Sequence, residues 1–144
     1  MLDCWALLEY VFDQPGARKV EAYLDRADAG ACRLLMSWIN AGESVYMTAR
    51  KKGADAAGEL EKALVGSLPI ELTLPEADNI LGAARIKAAA KLAYADAFAV
   101  ELARRHHAPI VTGDPEIRDY GGAEVIWVGL SKRKRSEKNR SSAC

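Results

Sequence analysis

The sequence predicts an α/β fold in which helices cover the faces of a short parallel sheet. Three observations point to it. Apolar residues recur at helical spacing in several separate stretches. Brief strand-like runs stand between those stretches instead of pairing off as hairpins, which is the pattern of crossover-connected parallel strands. The chain has 144 residues, half of them apolar, which suits one domain with a core that needs no disulfide or metal to hold it.

Leu2 marks the end of a strand. Ala6, Leu7, Tyr10 and Val11 then recur at helical spacing over about 4–12, until Gln14-Pro15-Gly16 breaks the pattern. Val20, Tyr23, Leu24 and Ala27 mark a second helix. Leu35, Trp38, Ile39, Gly42, Val45, Tyr46 and Ala49 mark a third, with Gly53 as its stop. Leu60, Ala63, Leu64 and Leu68 mark a fourth, ending before Pro69. Ile70, Leu72 and Leu74 alternate with polar residues as a short strand does. Pro75 opens a helix through Ala77, Ile80, Leu81, Ala84 and Ala88. Another helix covers about 94–107. Residues 109–112 form a strand, Gly113-Asp114-Pro115 a turn, and 125–128 a last strand.

Composition excludes several functions. The longest charge-free stretch is nine residues, Leu34 to Gly42, against the about 20 a membrane helix needs. Cys4, Cys32 and Cys144 are scattered, with no C-x-x-C pair, so neither a disulfide framework nor a zinc knuckle is expected, and a reducing cytoplasm fits. No G-x-G-x-x-G follows the first strand and no Walker loop occurs, leaving a nucleotide cofactor unsupported. The neutral total conceals an asymmetry. Residues 131–144 carry six basic residues and one acid, so 1–130 reads as the folded domain and 131–144 as a basic disordered tail.

Four acids stand out among the 20. Asp3 follows a strand end and precedes a helix; it is either a cap or a group at the sheet's carboxyl edge, where ligands bind. Glu43 borders an apolar helix face made by Ile39, Tyr46 and Met47. Asp96 is the only charge in Tyr94–Val100 and shares a face with Ala99, Val100 and Ala103, where a lone carboxylate is costly unless compensated. Asp114, with Thr112, ends a strand on the same edge as Asp3. A parallel sheet can gather all four into one cleft. Oxygen-only ligands select hard ions, Mg²⁺ or Mn²⁺, and such clusters suit phosphodiester hydrolysis.

These residues lie in Asp3-Cys4-Trp5-Ala6-Leu7-Leu8, Ile39-Asn40-Ala41-Gly42-Glu43-Ser44-Val45-Tyr46, Tyr94-Ala95-Asp96-Ala97-Phe98-Ala99 and Val111-Thr112-Gly113-Asp114-Pro115-Glu116. In that order they resemble the motifs of PIN-domain ribonucleases, most closely VapC-type toxins of bacterial toxin–antitoxin pairs, over about 1–128. The resemblance implies a three-layer α/β/α domain and a Mg²⁺- or Mn²⁺-dependent endoribonuclease. Its acidic quartet falls on Asp3, Glu43, Asp96 and Asp114, its polar position on Thr112, and Glu116 is a further oxygen near the site. It also implies an RNA substrate, a cognate antitoxin that occupies the active-site groove, often through an inserted Arg, and a homodimer.

Other residues carry two readings. Arg50, Lys51 and Lys52, and Arg85, Lys87 and Lys91, are either phosphate contacts or ordinary helix-surface charge. His106 and His107 fall at the far end of the strand from Asp114 and read as helix-dipole partners. Trp5, Trp38 and Tyr46 read as core, and Cys4 as a small buried residue. Two competing functions remain: a catalytically silent PIN-like module that binds RNA or protein, and a receiver-type phosphoacceptor. The intact quartet argues against the first. The absence of paired acids after the first strand argues against the second.

Overall fold

The structure is a computed structural model, and it describes residues 1–130; the basic tail expected at 131–144 lies outside them. Helices α1 (Cys4–Val11) and α2 (Ala17–Asp28) precede strand β1 (Leu35–Ser37). Helices α3 (Trp38–Lys52) and α4 (Ala54–Gly66) lead to β2 (Glu71–Thr73). Helices α5 (Ala77–Ala89) and α6 (Tyr94–Arg105) lead to β3 (Ile110–Thr112), and α7 (Pro115–Tyr120) to β4 (Val125–Trp127).

The strands are three residues each and all pair in parallel: β1 with β2, and β3 with β4. Residues 1–3 join the two pairs. The Leu2 amide donates to the Leu35 carbonyl, the Val111 amide donates to the Met1 carbonyl, and Leu2 bridges Val111. The spatial order is therefore β2, β1, residues 1–3, β3, β4. The chain first winds outward through β1 and β2, then returns to build β3 and β4 on the other side of its own beginning. Strand order reverses beside Asp3, and such a switch point opens a crevice at the carboxyl ends of the strands.

Alternation along the strands divides the core in two. Met1, Leu35 and Ile110 pack with α5, α6 and α7, through residues such as Ile86, Phe98 and Ile117. Leu2, Leu34, Met36 and Val111 pack with α1, α2 and α4, through Leu7, Leu24 and Leu64. Helices thus cover both faces of the sheet, in three α/β/α layers, as expected.

Three sequence expectations need correction. Leu35 belongs to β1, not to the third helix. A strand covered on both faces is apolar throughout, so Leu34-Leu35-Met36 shows no alternation, and Ser37 ends the strand while its hydroxyl caps α3. Residues 113–115 are not only a turn: Asp114 caps α7, with Pro115 at its first position. The third correction is the orientation of α3. Its apolar side was read as core, yet Trp38, Ile39, Tyr46 and Met47 are exposed, while Asn40, Ser44 and Thr48 are buried. Burial is tolerable because these groups are bonded, save the Asn40 Oδ1. The Ser44 hydroxyl donates to the Asn40 carbonyl, the Thr48 hydroxyl donates to the Ser44 carbonyl, and the Asn40 amide nitrogen donates to the Ala95 carbonyl at 2.7 Å.

Candidate active site

Each acid owes its place to an element terminus or a helix face. Asp3 ends the central strand segment and caps α1; its Oδ1 accepts from the Ala6 amide at 2.8 Å. Its Oδ2 accepts from the Thr112 hydroxyl, whose oxygen also accepts from the Asp114 amide at 3.0 Å. Asp114 caps α7 by accepting from the Glu116 amide at 2.8 Å. Asp96 stands in the first turn of α6. Glu43 stands in the second turn of α3. The cap read from sequence for Asp3 is present, and Asp114, read as a turn residue, is a cap as well.

Their mutual influence shows which of them are neighbours. Asp3 is 1% exposed, and burial pushes its carboxyl up to about 7, against the opposing bonds from Thr112 and Ala6; Asp96 and Asp114 push it further. Burial likewise pushes Asp96 up to about 7, with Asp114, Glu43 and Glu116 adding repulsion and the Ala93 backbone opposing. Asp96 is thus within electrostatic reach of Asp114, Glu43 and Glu116, and Asp3 within reach of Asp96 and Asp114. Thr112, fully buried, is the hydroxyl that ties Asp3 to Asp114.

Other expectations fall either side of this cleft. His106 and His107 are exposed at the end of α6, at the opposite end of β3 from Thr112. Cys4 is buried; burial pushes its thiol well up, and Ser44 and Glu43 stand beside it, so it remains a neutral neighbour of the site. Lys91 shares a hollow of about 390 Å³ with Glu116 and Asp119. Arg85 instead lines a hollow with Arg104 and Arg105 at the far end of α6.

Sequence reasoning missed two residues here. Asn40, buried beside the first turn of α6, is bonded to the residue before Asp96 and leaves its Oδ1 without a partner. Its signal was its place one turn before Glu43 within a helix otherwise read by its apolar residues. Trp5 is the second: its ring lies over Gly113, between Thr112 and Asp114, so closely that a Cβ there would meet it at 2.1 Å.

A family model described as the PIN domain matches residues 1–123. The chain belongs to the PIN domain family. Comparison with curated proteins finds no match. PIN domains are generally nucleases and typically use divalent metals. The donor set of this PIN domain suits such an ion. Its acids and the Thr112 hydroxyl offer only oxygen donors, His106 and His107 lie at the far end of β3, and a cation would relieve the repulsion that adds to burial in lifting Asp3 and Asp96. Among the described residues no three His, Cys, Asp or Glu side chains already converge closely enough to hold a metal. The acids would therefore have to draw closer together around an ion.

Proposed function

We propose that this PIN domain is a Mg²⁺- or Mn²⁺-dependent endoribonuclease that hydrolyses RNA phosphodiester bonds, acting as the toxin of a type II toxin–antitoxin pair. The observation that carries the nuclease reading is Asp96, a half-buried carboxylate in the first turn of α6 that burial lifts and that Asp114, Glu43 and Glu116 push up further. Pure RNA binding has no use for negative charge gathered against a polyanion, which disfavours the silent module. Asp3, Glu43, Asp96 and Asp114 would hold the ion, with Glu116 at the rim. When bound, the ion supplies an activated water and neutralises phosphate charge. Thr112 keeps Asp3 and Asp114 in register through its two bonds. Asp3 and Asp114, held by caps, present oxygens with little freedom to lose, which is the preorganisation that catalysis rewards.

The test is cleavage of labelled RNA with Mg²⁺ or Mn²⁺ against an EDTA control. Asp96→Asn removes one charge at nearly constant shape and is expected to abolish cleavage with an unchanged circular-dichroism spectrum. Wild-type cleavage by that variant, with metal bound, overturns the assignment. The toxin role adds a cognate antitoxin, a homodimer and a cytoplasmic setting. Growth arrest on expression, relieved by the product of an adjacent short gene and absent for Asp96→Asn, is the expected result; unimpeded growth with active enzyme removes the toxin role and leaves the nuclease.

A further inference from the structure

We propose that Asn40 is a positioning residue: by holding the first turn of α6 against α3 it sets Asp96 opposite Glu43, and so sets how tightly the site holds a divalent ion. This rests on the nuclease reading, in which Asp96 and Glu43 are metal ligands. Asn40 acts through the backbone of α6 and not as a ligand itself.

Three observations carry this. The first is where Asn40 binds. It is fully buried, as are Ser44 and Thr48 further along α3. Its amide nitrogen donates at 2.7 Å to the carbonyl of Ala95. Ala95 immediately precedes Asp96, and Glu43 follows Asn40 by three residues, one turn along α3. One side-chain bond therefore ties the part of α3 that carries Glu43 to the turn that carries Asp96, across 55 residues of sequence. The two acids stand within electrostatic reach of each other, so a change in their separation is a change in the site.

The second observation is what the start of α6 lacks. Asp3, Ser37 and Asp114 cap α1, α3 and α7 with side-chain oxygens. The N-cap of α6 is Ala93, which has no such oxygen, and the helix begins without a side-chain cap. Residues 90–93 before it form neither helix nor strand. A first turn without a cap frays more readily, and this turn holds Asp96. Asn40 supplies from α3 an anchor that the sequence of α6 does not. The third observation is the cost of an asparagine at this place. Its Oδ1 is buried and meets no donor among the described residues, and an unpartnered buried oxygen is destabilising. Leucine has the same forked side chain and would fill the place without that cost, so packing alone does not account for Asn40. What leucine cannot do is fix a backbone carbonyl next to a ligand. Groups that orient ligands from outside the coordination sphere change metal affinity by about 10- to 100-fold.

The test compares Asn40→Leu with Thr48→Val in the full chain. Thr48 is buried two turns further along α3, and its hydroxyl bonds within that helix, so its variant loses a buried polar group without touching α6. Mn²⁺ affinity is read by calorimetry without RNA. Stability is read by urea unfolding in EDTA, and hydrogen exchange in EDTA follows the amides of Ala97, Phe98 and Ala99. Asn40→Leu is expected to bind Mn²⁺ about 10- to 100-fold more weakly. Those amides should exchange about fivefold faster, the factor for one hydrogen bond. Thr48→Val is expected to keep wild-type Mn²⁺ affinity and wild-type exchange in α6. Wild-type Mn²⁺ affinity in Asn40→Leu overturns the proposal. So does an equal loss in Thr48→Val, which would make Asn40 a contributor to general stability alone. Asn40→Ala takes the same measurements if the leucine variant does not fold. A wild-type chain that binds no Mn²⁺ removes the nuclease reading, and exchange then decides Asn40 by itself: unchanged exchange in α6 overturns its role as an anchor, and faster exchange upholds it.

Discussion

Thr112 shows how much depends on one hydroxyl. It donates to the buried Asp3 carboxylate and accepts from the Asp114 amide. Thr112→Val keeps the shape and strands both partners, so it should cost about 1–3 kcal/mol, measured by urea unfolding, whereas Thr112→Ser should cost little. The bond to Thr112 lowers the Asp3 pKa. Its loss raises that pKa further, and the acidic limb of the activity profile should move to higher pH in the Val variant. A profile that does not move would detach Thr112 from Asp3 ionisation. Asp3, Glu43, Asp96 and Asp114 were legible as odd carboxylates because each sits at a strand end or among apolar residues. Asn40 was not, because an Asn within an amphipathic pattern looks like surface until its partner, 55 residues on, is known.

At the scale of elements, the short strands and their helix caps are the informative units. Among the described residues, six of the seven helices were readable from period and punctuation, and β2, β3 and β4 from short apolar runs. Strand β1 and helix α7 escaped for physical reasons. Two-sided burial erases the alternation of β1, and an Asp-Pro pair serves a turn and a helix start equally well. The reversal of α3 has a similar origin. Hydrophobicity ranks Trp38 and Tyr46 above Ser44 and Thr48, but hydroxyls that bond the preceding turn can be buried at little cost. The junction of α1 with the β3–α7 loop gives an element-scale prediction. Gly113→Ala would drive a Cβ to 2.1 Å from the Trp5 ring and should destabilise by about 1–3 kcal/mol. Trp5→Leu in the same chain should recover part of that loss, and the double-mutant cycle in urea should report a coupling between the two sites. Additive effects would mean that the ring and the loop do not meet.

For the whole molecule, the buried carboxyls of Asp3 and Asp96 make stability depend on pH, and the proposed metal site would make it depend on divalent ions as well. Asp3 and Asp96 stand near 7 in the folded chain, against about 3.9 when unfolded. Their folded pKa values are raised, so the stability they contribute is present in full below about 4 and is lost as pH rises through about 7. In EDTA this contribution should make the melting temperature lower at pH 8 than at pH 5. Added Mg²⁺ or Mn²⁺ should raise it more at pH 8, because an ion competes with protons for the same oxygens. Equal stabilisation by the ion at both pH values would count against a shared carboxylate site. No helix among the described residues is long and apolar enough to cross a membrane, which agrees with the short charge-free stretches of the sequence. By itself the sequence determined the α/β class, most of the helices, and which acids were out of place, because periodicity, caps and the cost of a lone charge are local properties. Only the tertiary structure decided that residues 1–3 lie at the centre of the sheet, that α3 turns its aromatics outward, and that Thr112 bonds Asp3. Those facts depend on strand order and on hydrogen-bond partners far away along the chain, and no local pattern encodes either.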